Sequence, residues 1–364
     1  MGGLALVALL AFGCAEAAHA QSQKWKFMVF GDTRGTNPTS DQINAEILGE
    51  LARAATNEQP AFVLVPGDLV NSGTLSAFQD WTNIMAPVYS AGIGVYPVMG
   101  NHDTPDVNGF KAVFGAAIPD NGPAGEIDRT YFITYSNALV LALDNYVNAN
   151  EINTNWVNSV LSTNTHPHVF SFGHEPAFKV NHTDCLDDHP VDRDAFWNSL
   201  SNAQSRIYFA GHDHFYDHMR LDDGDGNTNN DLHQMITGTA GAPLANDGDY
   251  DGNNGIWSPI RVLHEQQYGY VVVEIDGYNA TAMWYHRTGA NTYTATSDVF
   301  SYSVAPVIAF SYAGGSLILT WSGAGVLQAA PDVSGVYTNM PGTASPYVIT
   351  NLSEPQRYFR VRLP

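Results

Sequence analysis

Five short polar motifs recur in order along the first two thirds of the chain, each following or ending an apolar run. They are Gly31-Asp32-Thr33-Arg34, Gly67-Asp68-Leu69-Val70, Gly100-Asn101-His102-Asp103, Gly173-His174-Glu175-Pro176 and Gly211-His212-Asp213-His214. Singly, each has a bland reading. A Gly-Asp after a strand is more often a turn than a ligand, a lone buried histidine is more often structural, and Asn101 alone reads as a helix cap. Jointly they offer aspartates, one asparagine and several histidines, the oxygen and nitrogen ligands that hold Mn, Fe or Zn. That set at successive strand ends points to a two-metal hydrolytic site.

The apolar runs set the frame for these motifs. Trp25 to Phe30 reads as a strand. Asp41 to Ala55 carries Ile43, Ile47, Leu48 and Leu51 at helical spacing, with Ser40 or Asp41 as cap. Ala61 to Val65 is a short buried strand, Leu75 to Tyr89 a helix and Gly94 to Met99 a third strand. This β-α-β-α-β order with motifs just past the strands is the α/β arrangement in which sites form at strand carboxyl ends. A hairpin over Thr130–Tyr135 and Ala138–Leu143 follows, then a helix over Ile152–Leu161. Val169–Phe172 and Ile207–Ala210 are strands that run into the two histidine motifs, and Glu265–Ile275 with Ala280–His286 forms a closing hairpin turned by Asp276-Gly277.

The 364 residues suffice for one large domain and a small one, and 44% hydrophobic residues build a substantial core. The expected division is a leader over 1–20, a catalytic domain over 21–288, a Thr/Ser/Asn-rich linker over 289–304 and a small all-β module over 305–364. The module loosely resembles the end of a fibronectin type III domain, at Leu319-Thr320-Trp321 and Tyr358-Phe359-Arg360-Val361, and is too short for a complete one. Leu4–Phe12 followed by Ala18-His19-Ala20 reads as an export signal, which predicts a secreted or periplasmic protein starting at Gln21. The n-region has no Lys or Arg, and a lipoprotein anchored through Cys14 is the less favoured alternative. Without Cys14, Cys185 stands alone, so no internal disulfide forms; its acidic surroundings disfavour a nucleophilic thiolate. The net charge of -21 argues against non-specific nucleic-acid binding and leaves room for a phosphorylated substrate drawn to bound cations.

This motif set resembles the calcineurin-like metallophosphoesterases, which include the purple acid phosphatases and many bacterial phosphodiesterases, over residues 25–287. The resemblance implies a four-layer α/β/β/α sandwich and hydrolysis of a phosphomonoester or phosphodiester by a metal-bound hydroxide. It implies that Asp32, Asp68 and His214 hold a first metal, and that Asp68, Asn101, His174 and His212 hold a second, with Asp68 bridging. His102 becomes the catalytic imidazole beside the phosphate, and Asp103 the residue that orients it. One position departs. The family's first motif usually ends in a histidine ligand, and here it ends in Arg34, which stays protonated and cannot ligate. The tyrosine that purple acid phosphatases use instead corresponds to Asn71, so an iron–tyrosinate centre is not expected. Arg34 is expected to reach the non-bridging phosphate oxygens, with a surface ion pair to an acidic neighbour as the alternative.

Several residues stand outside that set. His166 and His168 read as surface or turn residues, and His218 and His233 as bystanders to the last motif. His182 and His189 lie in an acidic insertion, Lys179 to Asp194, read as a solvated loop with a lid over the site mouth as the alternative. Asp247, Asp249 and Asp251 match the first half of a calcium loop, but Ser258 stands where a glutamate would close it. Asp223, Asp225, Asn227 and Asp231 form a weaker second candidate. The competing functional reading is a metal-binding or adhesion protein of the cell surface whose activity was lost with the replacement at Arg34.

Overall fold

Fully apolar five-residue strands need cover on both faces, and this chain supplies it by stacking two sheets between helices. The computed structural model of the protein describes residues 24–246, 248, 250, 252, 255–305, 308–321, 325–342, 344–350 and 356–362. The leader with Cys14, and the calcium-loop aspartates Asp247, Asp249 and Asp251, lie outside the described residues. Two compact units divide at Val304/Ala305.

The larger unit begins with β1 (Trp25–Val29), β2 (Arg34–Asn37), β3 (Asp41–Ile43), α1 (Ala45–Glu58), β4 (Phe62–Pro66), α2 (Leu75–Ile84), α3 (Ala86–Ser90), β5 (Gly94–Val98) and α4 (Val107–Phe114). It continues with β6 (Tyr131–Tyr135), β7 (Ala138–Ala142), α5 (Thr154–Thr163), β8 (His168–Phe172), α6 (Pro190–Asn202), β9 (Ile207–Ala210), β10 (Tyr216–Asp222), β11 (Leu232–Thr237) and β12 (Ser258–Glu265). It closes with β13 (Gly269–Asp276), β14 (Asn279–Gly289) and β15 (Thr292–Ser303). One sheet has the order β15-β14-β13-β1-β4-β5, with β1, β4 and β5 parallel. The other runs β12-β10-β11-β9-β8-β7-β6, with β7, β8, β9 and β11 parallel. This is the metallophosphoesterase sandwich.

Aromatic side chains hold the sheets face to face. Phe27 of β1 stacks on Phe62 at 5.2 Å and meets Phe170 of the opposing β8 edge-on at 4.9 Å. Such pairs add to the burial of their apolar area. Behind the second sheet, Trp197 of α6 packs edge-on against Phe178 at 4.9 Å. Four helices start on side-chain caps: Asn44, Thr74, Asp106 and Asn153 accept from the amides of Ile47, Ala77, Gly109 and Trp156.

Local structure departs from the sequence reading in several places, helix α6 among them. Helix α1 is capped by Asn44, because Asp41–Ile43 pairs with Arg34–Asn37 as a hairpin. The helix expected over Leu75–Tyr89 breaks at Met85, where Pro87 removes an amide donor. His168 is fully buried, with Nε2 on the Gly277 carbonyl at 2.9 Å, and is not a surface residue. The expected linker is β15, a twelve-residue strand along β14. Its Thr- and Ser-rich composition reflects an exposed face. Its inward residues are fixed by Tyr293 to Glu50 (3.1 Å) and by Asp298, which accepts from Tyr216 of the other sheet at 2.7 Å and lies 2.9 Å from His218.

The smaller unit contains β16 (Ile308–Ala313), β17 (Ser316–Trp321), β18 (Val326–Ala330), β19 (Thr338–Asn339), β20 (Tyr347–Ile349) and β21 (Tyr358–Arg362). They form two three-stranded sheets around Leu319, Trp321, Leu327 and Ile349.

We propose that residues 24–304 fold without the smaller unit. A chain ending at Val304 is expected to melt within a few degrees of the full chain by circular dichroism. One ending at Thr288 loses β15 with Tyr293 and Asp298, and should melt roughly 10 °C lower or more. Equal melting of the two truncated chains would contradict the role given to β15.

Candidate metal centre

The motifs sit where the parallel strands end. Asp32 follows β1, Asp68 follows β4 and Asn101 follows β5 in one sheet; His174 follows β8 and His212 follows β9 in the other. Three of these residues take left-handed backbone conformations: Asp32 at φ 60°, Asp68 at φ 52° and His212 at φ 68°. Such conformations are uncommon for residues with a side chain and cluster at functional sites. The flanking glycines have a specific duty. A Cβ on Gly100 would strike the Asp68 carboxylate, and one on Gly211 would strike that of Asp32.

The turns are tied to one another through the same carboxylates. The His102 amide donates to Asp68 at 3.0 Å, and the His212 amide donates to both oxygens of Asp32 at 3.1 Å. Asp32, Asp68 and His174 each present a ligand atom within 4.8 Å of the other two. The His174 Nε2 lies 3.1 Å from the Asn101 Oδ1 and 3.5 Å from Asp68. Its Nδ1 faces the Pro66 carbonyl at 2.8 Å, which fixes the proton there and leaves the Nε2 lone pair toward the site. The His212 Nε2 is buried and finds no hydrogen-bond partner among the described residues; the Asp184 carboxylate is 3.5 Å away. Asp68, Asn101, His174 and His212 therefore fit a divalent cation by donor type, the buried His212 Nε2 having only the long contact to Asp184.

The electrostatics favour the same occupant. Burial pushes His174 down to about 4, against the opposing pull of Asp68, so its imidazole is neutral and able to ligate. Burial and then the Asp68 charge push Asp32 well above the usual carboxylate range. Burial also raises Asp68, but the His174 and His102 rings and the His102 amide outweigh it and leave it lowered. A cation among these groups relieves the desolvation and repulsion of the carboxylates together.

The residues expected to hold a first ion are arranged differently. His214 lies 3.5 Å from Asp32, and its Nδ1 faces the Pro243 carbonyl at 3.0 Å. Its Nε2, however, is 3.4 Å from the Arg34 guanidinium, whose Nε is 3.4 Å from Asp68. Burial and then Arg34 push His214 down to about 3. Asp68 and His214 thus face a cation that is already part of the chain, and with Asp32 they do not fit a second one in the same way.

His102 is the more open imidazole, with 31% of its side chain exposed and Nε2 4.0 Å from Asp68. Its Nδ1 is held by the Asn71 carbonyl at 2.6 Å. The orienting role read for Asp103 therefore belongs to a backbone oxygen. Asp103 is fully buried and points the other way, accepting from the amides of Gly100 (2.9 Å), Leu69 (3.1 Å) and Val70 (3.3 Å). It binds the second motif to the third.

The insertion read as a solvated loop, with a cover over the site mouth as the alternative, reaches the site through His182. It turns back, so that the His182 ring sits 4.3 Å from that of His212 and its Nδ1 2.6 Å from Asp213. Asp213, between His212 and His214, thereby carries the insertion to the site. His189 is elsewhere, 3.8 Å from Glu151. His218 and His233 form a buried chain with Asp298 (2.9 and 2.7 Å) in the core. Asp223 and Asp231 approach each other, but Asp231 is engaged by Arg220.

Comparison with known proteins agrees with this geometry. A family model described as calcineurin-like phosphoesterase matches residues 26–234. No curated protein matches the chain by sequence. Among solved structures, it is similar to a purple acid phosphatase from yellow lupin (Lupinus luteus) seeds, with 15% identity and a TM-score of 0.58. That likeness covers 78% of this chain and 54% of the lupin protein, so the chain spans about half the length of that relative. It is also similar to GAP50, the anchor in the inner membrane complex of Plasmodium, with 14% identity, a TM-score of 0.51, and 75% and 88% of the two chains covered.

Asp103→Ala strands three buried amides and should lower unfolding free energy by roughly 3 kcal/mol, measured by urea denaturation. A loss below about 0.5 kcal/mol would show that Asp103 does not hold the motif loops together.

Proposed function

Because the chain belongs to the calcineurin-like phosphoesterase family, we propose that it is a metal-dependent hydrolase of small phosphomonoesters or phosphodiesters. The observation that carries this reading is a buried cluster of donors of the right kind. Asp32, Asp68 and His174 present ligand atoms within 4.8 Å of one another, the Asn101 amide oxygen lies 3.1 Å from the His174 Nε2, and the His212 ring is 5.0 Å from that of His174. Mn, Fe and Zn all accept such a set. When bound there, a divalent cation supplies Lewis acidity toward a phosphoryl oxygen and acidifies a water.

The chain's own residues supply the remaining functions. With Nδ1 held by the Asn71 carbonyl, His102 presents Nε2 beside Asp68 and toward solvent. In its protonated form it can hand that proton to the leaving ester oxygen. Arg34 cannot lose its proton and offers a fixed positive charge to non-bridging phosphoryl oxygens. The sequence reading of two cations rests on the two ligand sets, which share Asp68; Arg34 decides how many ions they take. A fold shared with an anchor protein does not separate an enzyme from the alternative, a metal-binding or adhesion protein without turnover. His102 favours the enzyme, because it has no ligand duty and still faces the site.

The test uses two variants on metal-loaded protein with a chromogenic phosphate ester. Asp68→Ala should lose bound metal and activity together while circular dichroism stays native. His102→Ala should keep its metal and lose roughly 10²–10⁴-fold in kcat. Wild-type protein that binds metal without turning over a mono- or diester would favour the adhesion reading; full activity of Asp68→Ala would sink the proposed site.

A further inference from the structure

Arg34 occupies an unusual position for a cation that does not ligate. Its guanidinium lies between two of the residues that would hold a first ion, with Nε 3.4 Å from Asp68 and Nη2 3.4 Å from the His214 Nε2. Its Nη1 donates to the Gly35 carbonyl at 3.3 Å, and only 15% of the side chain is exposed. The backbone restrains it as well, since the Arg34 amide donates to the Asp68 carbonyl at 3.2 Å.

We infer that the Arg34 guanidinium stands in place of the first cation, so that this site takes one divalent ion and not two. The inference rests on the metal-dependent reading above and deepens it. Three physical points carry it. A guanidinium stays protonated at any working pH, so Arg34 cannot convert into a ligand. A divalent ion a few Å from it in a buried setting meets strong repulsion, which falls only if the side chain leaves. Two of the three first-ion donors already face it: the Asp68 carboxylate is one neighbour, and the His214 lone pair, free because Nδ1 is turned to Pro243, is the other. Of the second set only Asp68 lies beside Arg34; Asn101, His174 and His212 form no hydrogen bond or ion pair with it among the described residues, and the His212 Nε2 has the Asp184 carboxylate 3.5 Å away.

The arrangement supplies part of the positive charge of a two-ion site, since a guanidinium carries one charge where a divalent ion carries two. Asp32 and Asp68 are both buried, and the Arg34 guanidinium lies beside Asp68. Asp32 then serves mainly to receive the His212 amide and fix the last motif.

The experiment counts ions and does not depend on turnover. The full chain is stripped with chelator, reloaded with Mn²⁺, desalted and examined by inductively coupled plasma mass spectrometry and electron paramagnetic resonance. Wild type should hold about one Mn²⁺ per chain with the six-line signal of an isolated ion. Arg34→His and Arg34→Ala should each approach two, and the His variant should show the exchange-coupled signal of ions about 3.5–4 Å apart. Two coupled ions in wild type would overturn the inference and leave the metal-dependent reading standing. No bound Mn²⁺ in wild type would overturn both. A folded Arg34→His variant that still holds one ion would show that Arg34 is not what excludes the second.

Discussion

Two aspartates buried within a few Å of each other constrain everything else at this site. Asp32 and Asp68 are nearly inaccessible to solvent, and burial disfavours the charged form of each. The fold answers in three ways. Backbone amides from distant motifs turn inward to the carboxylates, from His212 to Asp32 and from His102 to Asp68. Left-handed turns at Asp32, Asp68 and His212 aim those groups, at a cost of about 1–3 kcal/mol each. Positive charge is brought close by Arg34 and by a donor set suited to a cation. The sandwich serves this purpose. Parallel strands from both sheets end at one edge, and the interlocked Phe27, Phe62 and Phe170 rings hold the sheets together.

The proposed ligands stand out in the sequence because chemistry restricts them. Few contexts other than a metal site call for Asp, Asn and paired His after successive buried strands. The glycines before them were legible as turns, but their second duty was not. Gly100 and Gly211 make room for carboxylates that arrive from other strands, 32 and 179 positions away along the chain, and no local pattern announces such contacts. Asp103 shows the same limit from the other side. It adjoins His102 in sequence, yet its carboxylate serves amides of the preceding motif, and the imidazole is held by a backbone oxygen that no side-chain pattern reveals. The place of His182 was open in the sequence because the return of its acidic loop depends on Asp213, which accepts from the Asn181 and His182 amides and holds the His182 ring.

Strand β15 and helix α6 were hidden for a different reason. An edge strand with one face exposed reads as a polar linker until its few inward groups, Tyr293 and Asp298, find partners on Glu50, Tyr216 and His218. Helix α6 buries Phe196, Trp197 and Leu200 but also Arg193 and Ser199, so its apolar pattern is broken by buried polar residues. Periodicity finds elements whose burial follows hydrophobicity, and these two depend on polar contacts.

Arg34 gives the site its individual character, because a fixed cation replaces a group that binds one. The central claim remains that Asp68, Asn101, His174 and His212 together hold a metal ion. Anomalous diffraction from Mn²⁺-soaked crystals tests it most directly. The account predicts a strong peak within about 2.0–2.4 Å of all four donors. Metal found only at other positions, with these four side chains left unliganded, would contradict it.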